Sequence, residues 1–343
     1  MNIIEFWKNP RSRPPVIFSC VPEPTYRQKE PAEMARLAAE LIGAWDRSGA
    51  NLPPVFMPDF GTVTMAKPWG GRIVRTEEGQ IFIHPVSGDI DTILDIEPGP
   101  NPDIDLAVGL YNEIRKATGR GDIRFATPDF QGVLNTAAQI MRQDELMIAM
   151  HTEPEKVHRF LDIVFEQNMA FMRELTARVH VDGNIWPYIW LPQECGVVIT
   201  EDFMPLLSPE MYREFGLPHL KQISDTFGGV FVHSCGQWVH QARVMAESGV
   251  SYLGIDFCYP YARIEEIQDH LPGLVLQPGF EFNNRYEYED YPAFIDAMIG
   301  KRRGATCLWL AMNSNPVWQM DRVREVLRKH GVEFDGFSRC QAP

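Results

Sequence analysis

The chain has 343 residues, 45% of them hydrophobic, which is long for one average domain but ordinary for an α/β barrel with a large core. A formal charge of −14, with no block of Lys or Arg, argues against a protein that tracks nucleic-acid phosphates. No apolar run approaches the roughly 18 residues of a membrane span, and the start lacks the basic, apolar, small-residue layout of a signal peptide, so the expected setting is the cytoplasm. Small molecules or protein partners are the expected ligands. The six cysteines, Cys20, Cys195, Cys235, Cys258, Cys307 and Cys340, are too scattered for a disulfide framework. A reducing compartment favours metal or catalytic roles for some of them and core packing for most.

The first 70 residues are irregular and proline-rich, with one apolar run from Val16 to Cys20 and a helical pattern from Pro31 to about Ser48, opened by Pro31. Val55 to Gly61 reads as a short strand running into a turn. Residues 72–86 alternate, with Ile73, Ile81 and Ile83 on either side of Glu77-Glu78-Gly79-Gln80, and predict a β-hairpin. Residues 1–104 are thus expected to hold an N-terminal elaboration and the first barrel elements.

From about residue 106 helical and extended segments alternate. Leu106 to Thr118 predicts a helix, Ile123 to Ala126 a strand, Gly132 to Met141 a helix, and Pro154 to about Val179 a long amphipathic helix. His151 and His158, near the start of that last helix, are expected to be solvated or locally bonded. Strand-like runs at 185–190, 197–200, 229–233, 251–256, 273–277 and 305–310 then alternate with helices near 209–226, 238–248, 262–270, 289–302 and 316–330. Such alternation means parallel βα units, and with the earlier strands the count is about eight. The predicted fold is a single (β/α)8 TIM barrel, its main repeats over 105–335 and a tail at 336–343; a doubly wound open sheet is the alternative. No G-x-G-x-x-G follows a strand, which disfavours a dinucleotide fold.

In a barrel, chemistry gathers at the carboxyl ends of the strands. Glu201 and Asp202 end the 197–200 run, His233 and Cys235 end Gly229 to Val232, and Asp256 ends Tyr252 to Ile255. Glu281 follows Phe280, while Cys307 lies inside the last predicted strand with Asn313 beyond it. In an extended segment alternate side chains share a face, so His233 and Cys235 project together, about 6.5 Å apart along the strand, while Ser234 points away. With Cys307 arriving from another strand they form a Cys2His set, which leaves one zinc position open for water or substrate, as in catalytic sites. Asp202 and Asp256 are the candidate catalytic carboxylates, with a helix N-cap or a loop backbone bond as the plainer role.

A free thiol with a pKa of about 8.5 is only about 3% thiolate at pH 7, whereas zinc removes the proton outright. Holding the bound sulfur or oxygen in line with an electrophilic methyl carbon contributes more. Trp186, Tyr188 and Trp190 alternate along one segment, and Trp238, Phe257, Tyr259, Tyr261, Trp309 and Trp318 border strand ends. Gathered at the mouth they would suit a flat ligand, with Trp186, Tyr188 and Trp238 as candidate cofactor contacts.

His233-Ser234-Cys235-Gly236, with Cys307 about 70 residues on, resembles the zinc-binding pattern of the methylcobamide:coenzyme M methyltransferases, a branch of the uroporphyrinogen decarboxylase superfamily. Gln131-Gly132-Val133-Leu134 through Met141, Glu153 through His158, and Ser208-Pro209-Glu210-Met211-Tyr212 through Leu217-Pro218 are similar too, so the likeness covers about residues 105–335. The resemblance implies a TIM barrel and a zinc-dependent methyltransferase that works with a corrinoid, usually carried on a separate small protein, and with a small-molecule methyl donor or acceptor. His233, Cys235 and Cys307 map onto the zinc ligands, with Asp256 as candidate fourth ligand. In thiol-using relatives a zinc-bound thiolate attacks methylcobalt; in relatives acting on methoxylated aromatics, zinc polarises the ether oxygen while reduced cobalt takes the methyl group.

True uroporphyrinogen decarboxylases carry an N-terminal Arg-Gln-Ala-Gly-Arg motif whose arginines meet substrate carboxylates. This chain has only Tyr26-Arg27-Gln28-Lys29 there, so decarboxylation stands as the alternative enzyme reading. A corrinoid- or tetrapyrrole-binding protein without catalysis is the alternative from another class.

Overall fold

The computed structural model describes residues 3–21, 31–48, 52–77, 80–183, 189–258, 261–279, 288–313 and 320–332. Ten strands lie within them: β1 (Val16–Val21), β2 (Val55–Phe56), β3 (Ile73–Arg75), β4 (Ile81–Ile83), β5 (Arg124–Phe125), β6 (Val197–Thr200), β7 (Val230–His233), β8 (Tyr252–Cys258), β9 (Val275–Gly279) and β10 (Cys307–Asn313). Six of them form one parallel sheet in the order β1-β10-β9-β8-β7-β6, so sequence neighbours from β6 to β10 are also spatial neighbours. Each is linked to the next through a helix, as parallel strands require. β2 and β5 make a separate parallel pair, and single bridges join Ala126 to Asp182 and Gln131 to Thr200.

The α/β class and parallel order agree with the alternation in the sequence. Among the described residues, however, the six-stranded ladder ends at β1 and β6, and the eight-stranded closure expected of a TIM barrel is not reached by hydrogen-bonded ladders. β3 and β4 pair antiparallel, with Ile73 opposite Ile83, within the N-terminal region.

The strands read as continuous apolar runs because both faces of the sheet are covered. One face of β6 to β10, with Val197, Ile199, Val230, Val232, Ile255, Leu276 and Leu308, packs against the helical layer. The other gathers Val198, Phe231, Val275, Cys307 and Trp309 into an inner cluster. That cluster is plugged by the short helix Ile3–Lys8, whose Phe6 and Trp7 are buried. Trp7 stacks on Trp309 with ring centroids 5.7 Å apart and donates its indole N–H to the Trp190 carbonyl at 2.8 Å. Arg13 ties the plug down, its guanidinium donating to the carbonyls of Phe6, Trp7 and Gly273. No helix among the described residues is long and apolar enough to cross a membrane.

The helices match their sequence signals closely, such as Pro154–Arg178 with Pro154 in its first turn, and Asp103–Thr118 ended by Gly119 at φ 65°. The strands do not. β8, β9 and β10 each run two or three residues further toward the carboxyl end than predicted, and β10 spans 307–313 instead of 305–310.

Candidate metal centre

Strand register sorts the inward residues into rows. Val198, Phe231, Gly254, Val275 and Cys307 are successive partners across β6 to β10 and make the lower row. Gly254 is required there: a Cβ would stand 2.3 Å from the Val275 carbonyl and 2.6 Å from the Phe231 ring. Two residues further toward the carboxyl ends, Thr200 pairs with His233 and Asp256 with Gln277, while Val232 opposite Ile255 sets His233 beside Asp256. Polarity thus changes abruptly between adjacent rows, with apolar packing below and Thr, His, Asp and Gln above.

The imidazole of His233 is fixed from both sides. Its Nδ1–H donates to Asp256 Oδ2 at 2.6 Å, and its Nε2 faces Cys235 Sγ at 3.1 Å. Cys235, just past the strand end, donates its backbone N–H to Asp202 Oδ1 at 2.8 Å, and that carboxylate oxygen lies 3.8 Å from His233 Nε2. One ligand atom each from Asp202, His233 and Cys235 lies within 4.8 Å of the others, a nitrogen, sulfur and oxygen set of the kind that holds zinc. Because Nδ1 is committed to Asp256, Nε2 is the nitrogen free to ligate, the usual arrangement behind a metal-bound histidine.

The electrostatics follow from these contacts. Hydrogen bonds from Cys258, then from His233, hold the Cys235 thiol down at about 6. Burial alone would lower the His233 imidazole, but Asp256 opposes it and raises it well above its ordinary value. Burial raises Asp256 itself, against the pull of His233. A third carboxylate, Asp129, approaches from the loop after β5, accepting from Thr200 Oγ1 at 2.9 Å and Gln131 Nε2 at 2.6 Å. Burial pushes it up to about 6. Glu201 turns to the opposite side of the sheet, against Gly132, and burial followed by the nearby Asp202 charge pushes it up to about 8.

Cys307 does not join this group, a correction to the expected ligand set. It begins β10 and is 1% exposed in the lower row, three strands from β7 and about 6.6 Å nearer the amino end. Burial pushes its thiol up to about 12, and Asp202 occupies the place expected of it. Trp238 is also corrected: it is wholly buried in the core and cannot face a planar ligand. Trp190, Phe257 and Trp309 are likewise buried, whereas Tyr261 is exposed. Aromatic area, where described, was drawn mainly into packing. Trp186, Tyr188, Tyr259, Glu281 and Trp318 lie outside the described residues. His158 is locally bonded as expected, stacked on Phe215 at 4.7 Å and 3.5 Å from Glu214.

Sequence reasoning missed Asp129 and Cys258. The signal for Cys258 was present, since Asp256-X-Cys258 repeats the spacing of His233-X-Cys235, but its strand had been ended two residues short. Another set of ligand types, His180, Asp182 and Glu194, lies near the amino end of the sheet. There Asp182 already accepts from Trp190 Nε1, the Gln193 N–H and His180, which is a structural role.

A cleft of about 160 Å3 opens beside Asp202, lined by Thr62, Gln131, Asn135, Gln139 and Gln143. The uroporphyrinogen decarboxylase family model matches residues 194–277, the span that supplies Asp202, His233, Cys235, Asp256 and Cys258. This segment is similar to the uroporphyrinogen decarboxylase family. The likeness in fold is wider: a methyltransferase from Methanosarcina mazei superposes over 96% of this chain and 98% of its own, with a TM-score of 0.66 at 15% identity. An old yellow enzyme homologue from Zymomonas mobilis aligns over 95% and 93% at 10% identity, with a TM-score of only 0.37. No curated protein sequence matches the chain.

Proposed function

We propose that the chain is a zinc-dependent methyltransferase that moves a methyl group between a corrinoid and a small thiol or methoxylated substrate. The observation that carries this reading is the convergence of Asp202, His233 and Cys235 within 4.8 Å at strand ends, backed by Asp256 on the second imidazole nitrogen. The donor set fits zinc: a soft sulfur, an imidazole nitrogen with its tautomer fixed, and one carboxylate oxygen. Zinc, when bound, supplies a Lewis acid that holds a thiol as thiolate or polarises an ether oxygen.

The chain's own residues do the rest. Asp256 orients His233 and keeps its Nε2 aimed at the site, while Asp202, accepting the Cys235 N–H, fixes the turn that carries the sulfur. Asp129 keeps a proton on its carboxyl up to about pH 6 and can pass it to a leaving oxygen. The naming of the Methanosarcina mazei relative as a methyltransferase supports the reaction class. Three carboxylates, Asp129, Asp202 and Asp256, surround the strand ends and make a poor site for a polycarboxylate porphyrinogen, which weighs against decarboxylation.

The test combines zinc analysis of the purified protein with a screen of methylated thiols, amines and aryl methyl ethers against cob(I)alamin, followed spectroscopically for methylcobalamin. The reading requires bound zinc and methyl transfer that Cys235→Ser abolishes. A zinc-free protein, or transfer unchanged in that variant, overturns it.

A further inference from the structure

Asp202 belongs to two places at once. It stands with His233 and Cys235 in the candidate metal group, and it also lines the cleft of about 160 Å3 whose other walls include Thr62, Gln131, Asn135, Gln139 and Gln143. Of the side chains that line this cleft among the described residues, Asp202 alone is charged. Gln131, Asn135 and Gln139 recur every four residues along the helix Val133–Ile140 and the turn that enters it, so their amides stand on one side. Backbone groups with a single hydrogen-bonding role fix how those amides point. The Phe203 N–H donates to Asn135 Oδ1 at 2.7 Å, which turns Asn135 Nδ2 to Gln131 Oε1 at 2.9 Å and Gln131 Nε2 to Asp129 Oδ2 at 2.6 Å. Gln139 Nε2 donates to the Thr62 carbonyl at 2.9 Å. All three amide nitrogens are thus engaged with acceptors of the protein. The neighbouring cation along the chain, Arg142, is paired with Asp144 at 2.5 Å.

We propose that this cleft is the subsite for the non-reacting end of the substrate and that it takes an organic ammonium group, paired with Asp202. The inference rests on the reading of the site as a zinc-dependent methyl-transfer centre and names the charge of its substrate. An anionic end, such as a sulfonate or carboxylate, would meet the Asp202 carboxylate with no cation in the lining to offset it and with the amide nitrogens already committed. Like charges oppose that entry, whereas opposite charge favours an ammonium. Charge counting over the whole group has the same sign. Zinc brings two positive charges, which the Cys235 thiolate and Asp202 balance; Asp256 behind His233 and Asp129 behind Gln131 then leave the surroundings negative at neutral pH. A substrate that binds through a thiolate adds one more negative charge, and an ammonium at its other end offsets it.

Calorimetric titration of the full-length, zinc-loaded protein at neutral pH with three thiols of equal spacing tests this: thiocholine, whose quaternary nitrogen cannot ligate zinc, 2-mercaptoethanol and 2-mercaptoethanesulfonate. Thiocholine is expected to bind about tenfold or more tightly than the sulfonate, with the uncharged thiol between them, and the gap should shrink as salt is raised. Gln139→Lys, which places a cation in the cleft lining outside the metal group, should reverse the order. Gln143→Lys, at the exposed first residue of the helix Gln143–Thr152, makes the same test should Gln139→Lys fail to fold. A wild-type protein that holds zinc but binds the sulfonate as tightly as thiocholine, or an order of preference that the folded Lys variants leave unchanged, overturns the ammonium subsite while leaving the zinc centre standing. A wild-type protein that takes up no zinc overturns both.

Discussion

His233 and Asp256, on adjacent parallel strands, are joined by a 2.6 Å hydrogen bond from imidazole Nδ1 to carboxylate Oδ2, which leaves Nε2 directed at Cys235. The bond sets both the tautomer and the tilt of the ring. Asp256→Ala should therefore weaken zinc binding by roughly 10–100-fold without removing any atom of the Asp202, His233 and Cys235 set. Competition titration against a chelator of known affinity measures this; unchanged affinity would show that Asp256 does not orient the ligand.

Glu201 predicts how stability depends on pH. Burial and then Asp202 raise its carboxyl from 4.5 to about 8, so the folded chain holds a proton that the unfolded chain releases. The sign follows from linkage: the contribution is complete below about pH 4.5 and is lost as pH rises toward 8, to the extent of about 4 kcal/mol. Glu201→Gln removes the titration, so its stability relative to wild type should rise by that order between pH 5 and pH 8. Urea unfolding of the metal-stripped proteins at the two pH values checks it, and a constant difference would contradict it.

Gly132 packs where no side chain fits. A Cβ there would stand 1.9 Å from Glu201 Oε1 and 3.0 Å from the Thr200 carbonyl, on the loop whose Gln131 holds Asp129. Gly132→Ala should destabilise the fold by about 1–3 kcal/mol, the usual cost of overpacking, read as a lowered thermal midpoint.

Trp7 tests the separation of the two rows. It stacks on Trp309 and meets Phe231 edge-on at 6.2 Å, closing the inner cluster below the Asp202, His233 and Cys235 group. Trp7→Ala should cost about 3–5 kcal/mol in denaturant unfolding, yet leave zinc stoichiometry unchanged in the protein that remains folded. Loss of zinc at full folding would mean that plug and site are coupled.

The sequence by itself determined the α/β class, the parallel order of the later strands and the helix ends. These depend on local chemistry: apolar runs of strand length, Pro154 in a first turn, Gly119 at a helix end. It also determined that His233 and Cys235 share a face, because a period of two needs no tertiary information. The tertiary structure alone decided which further residues meet them. Cys307 is the partner that its place along the chain suggests, yet the register of β10 sets it in the apolar row opposite Val275. Asp202 and Asp129 arrive from a turn and a loop, whose path no periodicity encodes. Trp238 sits in the core because large apolar area is buried wherever the surrounding elements leave room, and that room is a property of the packed sheet and helices.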